Sequence, residues 1–165
     1  MRKVTSCMVM AAALTLAAPP AAAAALDCSA AVEVELGQAY DGDNTGLPDN
    51  VSMYACSDWD ESGGEVVHHL HLERPHDFTV SLASECDLDL AVLDACDEVV
   101  GCLQVVSDTI TTTSPMSGDF YFVVDGYEGA GCAFTLALVD DGVANEDLSL
   151  GRVKAFYGRQ GSRVR

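Results

Sequence analysis

Basic side chains are almost missing from this chain of 165 residues, in which eight Lys and Arg stand against 26 Asp and Glu, a formal charge of −18. Arg2 and Lys3 lie at the N-terminus, and Arg152, Lys154, Arg159, Arg163 and Arg165 lie at the C-terminus, so Arg74 is the one basic residue between them. Recognition of phosphate backbones and anionic headgroups rests on Lys and Arg, which excludes nucleic acid and acidic lipid as ligands of the body. A solvated, salt-adapted surface accounts for such acidity, as does one that gathers cations or cationic partners. Other absences narrow the reading further. No C-x-x-C occurs, and the Cys spacing fits no zinc knuckle. No G-x-S-x-G elbow accompanies the Ser107-Asp108 pair and the histidines, so a serine-hydrolase triad has no local support. Helical periodicity is weak throughout the mature chain.

What is present begins with an N-terminal leader. Arg2 and Lys3, the apolar run Val9–Ala18 and the small-residue stretch Ala21–Ala25 match a secretory signal, whose apolar part is too short to span a bilayer. Cleavage after Ala25 satisfies the A-x-A rule. The domain expectation is therefore residues 1–25 as signal peptide, 26–139 as one β-domain, and 140–165 as linker and basic C-terminal tail. The product is expected in the periplasm, at the cell surface or outside the cell.

Seven Cys occur, and setting aside Cys7 in the leader leaves six, an even number that reads as a disulfide framework in an exported chain. Six cysteines allow fifteen pairings. Cys96 and Cys102 flank the five residues DEVVG, which suggests a stapled hairpin, and Cys28–Cys56 would secure the start of the mature chain. Cys86–Cys132 then follows by elimination.

Alternation of apolar and polar residues is strongest from Glu65 to Cys96. Leu70 and Leu72, then Phe78, Val80 and Leu82, then Leu88, Leu90 and Val92 each fall on one face of a strand. Arg74–Asp77 and Ala83–Cys86 read as the turns between them. Val32, Val34 and Leu36 predict an earlier strand, Val51–Cys56 a short one, and Val99–Val106 and Thr109–Thr113 two more. After a turn at Ser114–Gly118, Phe120, Phe122 and Val124 alternate, as do Phe134, Leu136 and Leu138. Eight or nine strands with turn signals between them indicate an all-β sandwich or barrel.

Several of these stretches, taken in order, resemble the bacterial pre-peptidase C-terminal domain family. They are DWDESGGEVVHHLHL (Asp58–Leu72), DFTVSL (Asp77–Leu82), CDLDLAVLDAC (Cys86–Cys96) and GDFYFVVDGYEGAGCAFTLAL (Gly118–Leu138), and NTGLPDNVSMYAC (Asn44–Cys56) is similar to the lead-in of cysteine-containing exported members. The resemblance implies a jelly-roll-like β-sandwich of antiparallel strands, braced here by disulfides. It also implies a non-catalytic module, in a family whose members include binders of calcium, collagen or polysaccharide.

Three constellations bear on chemistry. Asp41, Asp43 and Thr45, with Gly46 and then Asp49, match the opening of a calcium loop, with hard oxygens around a sharp turn, although Ser52 stands where an EF-hand needs Glu. Calcium is the cofactor expectation; ordinary turn residues are the plainer explanation of the same run. His69 and His71 project from one strand face and offer two imidazoles to a transition metal, or else form part of a polar stripe. Asp87 and Asp89 alternate with Leu88 and Leu90, a spacing that suits solvated or cation-binding carboxylates better than a glycosidase pair. The functional expectation is a secreted, non-enzymatic binding or accessory module for a surface polymer or protein. A structural envelope component docking through its basic tail is the alternative, and a small metal-dependent hydrolase a distant third.

Overall fold

The computed structural model describes residues 25–112 and 116–143. The expected signal peptide, apart from Ala25, and the tail beyond Val143 lie outside the described residues. Eight strands form one hydrogen-bonded sheet: β1 (Val32–Glu33), β2 (Gln38–Asp43), β3 (Val66–Ser84), β4 (Leu88–Leu93), β5 (Cys102–Val106), β6 (Thr109–Thr111), β7 (Met116–Gly126) and β8 (Ala133–Val143). A single 3-10 turn, Tyr127–Gly129, separates β7 from β8.

Strand β3 decides how this sheet becomes a sandwich. Its first part pairs with β7, from Val66 opposite Val124 to Leu72 opposite Gly118. Its second part pairs with β8, from His76 opposite Val143 to Ser84 opposite Phe134, and with β6 on the other side. Beyond β7 lie β4 and β5, and beyond β8 lies β2. One strand therefore serves both layers. The sequence reads Arg74–Asp77 as a turn, but the chain stays extended there and shifts register between Leu72 and His76, and again between Asp77 and Phe78. Pro75 has no N–H to give to a ladder, so pairing breaks at that point while the chain continues forward. All strand pairs are antiparallel except β1 with β3, where Val32 lies beside His68 in parallel register.

The period-two faces meet between the layers. Leu70, Leu72, Leu88, Leu90, Val92, Phe120, Phe122 and Val124 pack against Phe78, Val80, Leu82, Phe134, Leu136 and Leu138. Phe78 meets Phe120 and Phe122 edge-on, at centroid distances of 5.6 and 6.1 Å, a favoured aromatic geometry. His68 shares this face, is buried, and stands edge-on to Phe134 at 5.9 Å, where desolvation holds its imidazole below the usual His range.

The outer face of the β3–β7–β4 layer is not solvated. Leu26, Val51 and Tyr54 cover it and bury Val67, Ala91, Leu93 and Val123 in a second core. This explains why every residue of β4 is buried, on both faces. Val51–Cys56, expected as a strand, is instead irregular chain laid over that face. β8 also continues to Val143, past the boundary expected at Val139.

Candidate functional site

Two disulfides fasten the covering segment to the sheet, and they are not the pairs expected. Cys28 bonds Cys96 and Cys56 bonds Cys102, in place of Cys28–Cys56 and Cys96–Cys102; the third bridge is Cys86–Cys132, as expected. The turn between Cys96 and Cys102 closes without a staple. Asp94 N–H donates to Gly101 O at 2.9 Å, Gly101 N–H to Asp97 O at 3.0 Å, and the Asp97 carboxylate accepts from the amides of Val99 and Val100. Its two cysteines are thus left to bind the segment crossing above them. Three bridges suit an oxidising, extracytoplasmic compartment, and no helix among the described residues is long and apolar enough to cross a membrane.

This fastening creates a firm loop surface. Ala55 N–H donates to Glu98 O at 3.0 Å, Leu26 N–H donates to the Glu98 carboxylate at 3.3 Å, and Glu61 N–H donates to Ser52 O at 3.1 Å. The loops so joined carry large apolar side chains in solvent: Met53 is 62% exposed, Val99 63%, Val100 81% and Trp59 37%. Asp58, Asp60 and Asp94, all exposed, stand among them.

Beneath the same loops is a group of buried acids that sequence reasoning missed. Glu61 is fully buried, Asp89 is 2% exposed and Asp125 is 1% exposed. Asp89 and Asp125 are cross-strand partners on β4 and β7. Asp125 is well supplied, accepting from Tyr54 Oη at 2.9 Å and from Gly126 N–H at 2.7 Å. Both oxygens of Glu61 and Oδ1 of Asp89 have no hydrogen-bond partner. Burial raises all three carboxyls, Glu61 to about 8 and Asp125 to about 7; repulsion from Asp89 adds to the shift of Glu61, and repulsion from Asp87 to that of Asp89. No Lys or Arg other than Arg74 exists among the described residues to offset them. Alternation put Asp89 on the face opposite Leu88 and Leu90, but not that this face is covered. A carboxylate in a chain with no cation to spare was the available signal.

The loop bearing Glu61 is seated closely. A Cβ on Gly63 would lie 2.6 Å from the Gly126 backbone, and one on Gly126 would lie 1.9 Å from Ala130 O. Glu128 N–H donates to Asp60 O at 2.8 Å. Glu65 accepts from Asn50 N–H at 2.7 Å and from the Val51 amide.

The residues expected to bind calcium are dispersed in their bonding. Asp41 and Asp43 lie on β2, paired with β8, and not in a sharp loop. Asp41 accepts from Thr135 Oγ1 at 2.7 Å, Asp43 from Thr45 N–H at 2.8 Å, and Asp49 from Ser52 Oγ at 3.2 Å. Between them Asn44 turns inward, fully buried, linking Gly64 O to Cys132 N–H at 2.9 Å each. His69 and His71 do share a face, but Asp119 sits between them, 3.0 Å from His69 Nε2 and 2.8 Å from His71 Nδ1. Glu33 takes the other nitrogen of His69 at 2.9 Å. The Glu33 and Asp119 carboxylates hold the His69 imidazole above the usual His range. Both ring nitrogens of His69 are thus engaged by carboxylates. No three His, Cys, Asp or Glu converge as metal ligands among the described residues. Asp87, unlike Asp89, is exposed.

Comparison with known proteins gives similarity at the level of solved structures. No family model matches the chain and no curated protein matches it. A pre-peptidase C-terminal domain, of the family whose motifs the sequence resembles, is among the structures similar to it: that of a collagenase from Bacillus anthracis, with a TM-score of 0.47 at 12% identity, covering 66% of this chain and 93% of that domain. Another is PliG of Aeromonas hydrophila, a periplasmic inhibitor of g-type lysozyme, with a TM-score of 0.49 at 14% identity over 67% of this chain and 96% of that one.

Proposed function

We propose that this chain is an exported, non-catalytic binding domain whose protein partner seats on the loops that the Cys28–Cys96 and Cys56–Cys102 bridges hold together. The observation that carries this reading is the pair Val99 and Val100, 63% and 81% exposed at the tip of a turn that already has its own backbone bonds and a carboxylate cap. Neither valine side chain contributes to closing that turn, and solvent offers an apolar pair nothing. Met53 and Trp59, on the adjoining loops, belong to the residue types enriched where partners bury their anchors. Loops fixed by disulfides lose little freedom on binding, which raises affinity by lowering the ordering cost. The surrounding Asp58, Asp60 and Asp94 favour a partner with an apolar depression and a basic rim, since complementary charge steers the encounter and rejects acidic competitors.

The test compares wild type with the double substitution Val99→Asp and Val100→Asp. Proteins of the source cell's envelope and medium are passed over wild type, and one that is retained is identified, purified and titrated against both. At least tenfold weaker binding by the variant, with an unchanged melting temperature, supports the reading. Equal binding by the two proteins sinks it.

A further inference from the structure

The loop that presents Trp59 also carries Glu61, whose carboxyl group is sealed between that loop and the sheet with neither oxygen bonded. Resting on the binding surface proposed above, we propose that Glu61 is a proton-operated latch for it: protonated, it stays beneath the loop and keeps Trp59 in place; ionised, it moves to solvent and takes the loop with it.

The surroundings leave no other way to hold the charge. Glu61 is faced by Asp89 from β4, Asp125 from β7, Asp87 from the approach to β4, and Tyr54 from the covering chain. Asp89 is itself faced by Asp87 and Ser107, and Asp125 by Tyr54, Glu65 and Asp49. Every charged group in this set is an acid. A neutral carboxylic acid costs far less to bury beside a carboxylate than a second charge does; two carboxylates repel each other, in a place that water does not reach. On ionisation the proton passes to solvent, and no group nearby offers a cation in exchange.

Two bonds close the loop over Glu61, Glu61 N–H to Ser52 O and Glu128 N–H to Asp60 O, and both hydrogens are protected only while the loop is seated. A carboxyl whose ordinary value is 4.5 and whose buried value is about 8 makes opening about tenfold more favourable for each pH unit between those limits.

Amide hydrogen exchange on the full, disulfide-intact chain reads this directly, because it needs no partner. At each pH the rates at Glu61 and Glu128 in wild type are divided by those in Glu61→Gln, so that the chemistry of exchange cancels. The expected ratio rises about tenfold per pH unit and levels off near pH 8, and the Glu61 and Glu128 amides exchange far faster than those of Leu90 and Phe122 in the core, which open only on global unfolding. Should Glu61→Gln fold poorly, Asp89→Asn serves as reference: its amide donates to the Glu61 carboxylate, so exchange at Glu61 levels off at lower pH. A ratio flat with pH, or an Asp89→Asn profile equal to wild type, overturns the latch. Either result leaves the binding surface standing, whereas equal titrations with the Val99/Val100 variant would remove the binding surface and leave only the pH-dependent opening of the loop.

Discussion

Tyr54 and Asp125, 71 residues apart in sequence, form a buried hydroxyl–carboxylate pair at 2.9 Å that anchors the covering chain to the end of β7. Tyr54 is wholly inaccessible, and its burial beside Asp125 raises the phenol far above its ordinary value, so it stays a donor at every physiological pH. Replacing it with Phe keeps the ring in the second core and removes only the donor. The expected loss is about 1–3 kcal/mol, the cost of leaving a buried acceptor short of a partner, measured by urea unfolding at pH 6. A loss under a few tenths of a kcal/mol would mean that water replaces the hydroxyl.

Stability should fall as pH rises, the reverse of the usual behaviour of acid-rich proteins below neutrality. Glu61 and Asp125 titrate at about 8 and about 7 when folded, against ordinary values of 4.5 and 3.8, and Asp89 is shifted the same way. The folded state therefore binds more protons than the unfolded state between these limits. Their contribution is whole below about pH 4, declines from there, and is gone above about pH 8. Asp119, through its histidine partners, and Asp140, through the Gly142 amide and then His76, act in the opposite sense, but they are half exposed and screened. The unfolding free energy measured in urea should drop between pH 5 and pH 8.5 by an amount on the order of a few kcal/mol, and Glu61→Gln should flatten the slope. A midpoint that climbs over this range contradicts the placement of the acids.

Non-reducing peptide mapping should find Cys28 with Cys96 and Cys56 with Cys102. The Cys56→Ser, Cys102→Ser double variant should lose about 2–4 kcal/mol, and its Met53 and Trp59 loops should become sensitive to protease. Recovery of a Cys96–Cys102 peptide would restore the hairpin staple that the spacing suggests.

The two ends proposed for the domain differ sharply in consequence. Truncation after Val139 removes Asp140, Gly142 and Val143, which pair with Phe78, Asp77 and His76, and should lower the melting temperature by several degrees. Truncation after Val143 should leave it unchanged. It is therefore the cut to use in asking whether the basic tail directs localisation or assembly, and equal melting temperatures for both would place the domain boundary at Val139 after all.

The strands and the main core were legible because period-two alternation is a local property: Leu70 with Leu72, and Phe120 with Phe122, announce their face without reference to anything distant. Pro75 was misread as a turn because proline ends a ladder both where a chain reverses and where it crosses between layers. Cys96 and Cys102 were misassigned for a related reason, since nearness in sequence says nothing of the segment lying over a hairpin. The candidate site suffered most. Val99, Val100 and Glu61 owe their significance to a second face of the sheet being covered, and that covering is supplied by Leu26, Val51 and Tyr54, whose own stretches carry no strong pattern. His69 and His71 were placed on one face correctly, but Asp119, 48 residues from His71, which bonds both rings, could not be foreseen there.

The continuity of β3 through both layers has a last consequence, for how the molecule comes apart. Phe78 and Leu70 belong to opposite halves of the sandwich yet lie on one uninterrupted strand, so no cleavage outside that strand yields two fragments each owning a complete layer. Calorimetry should accordingly record a single unfolding transition, and circular permutants opened within Val66–Ser84 should fail to fold where those opened at the β4–β5 turn succeed.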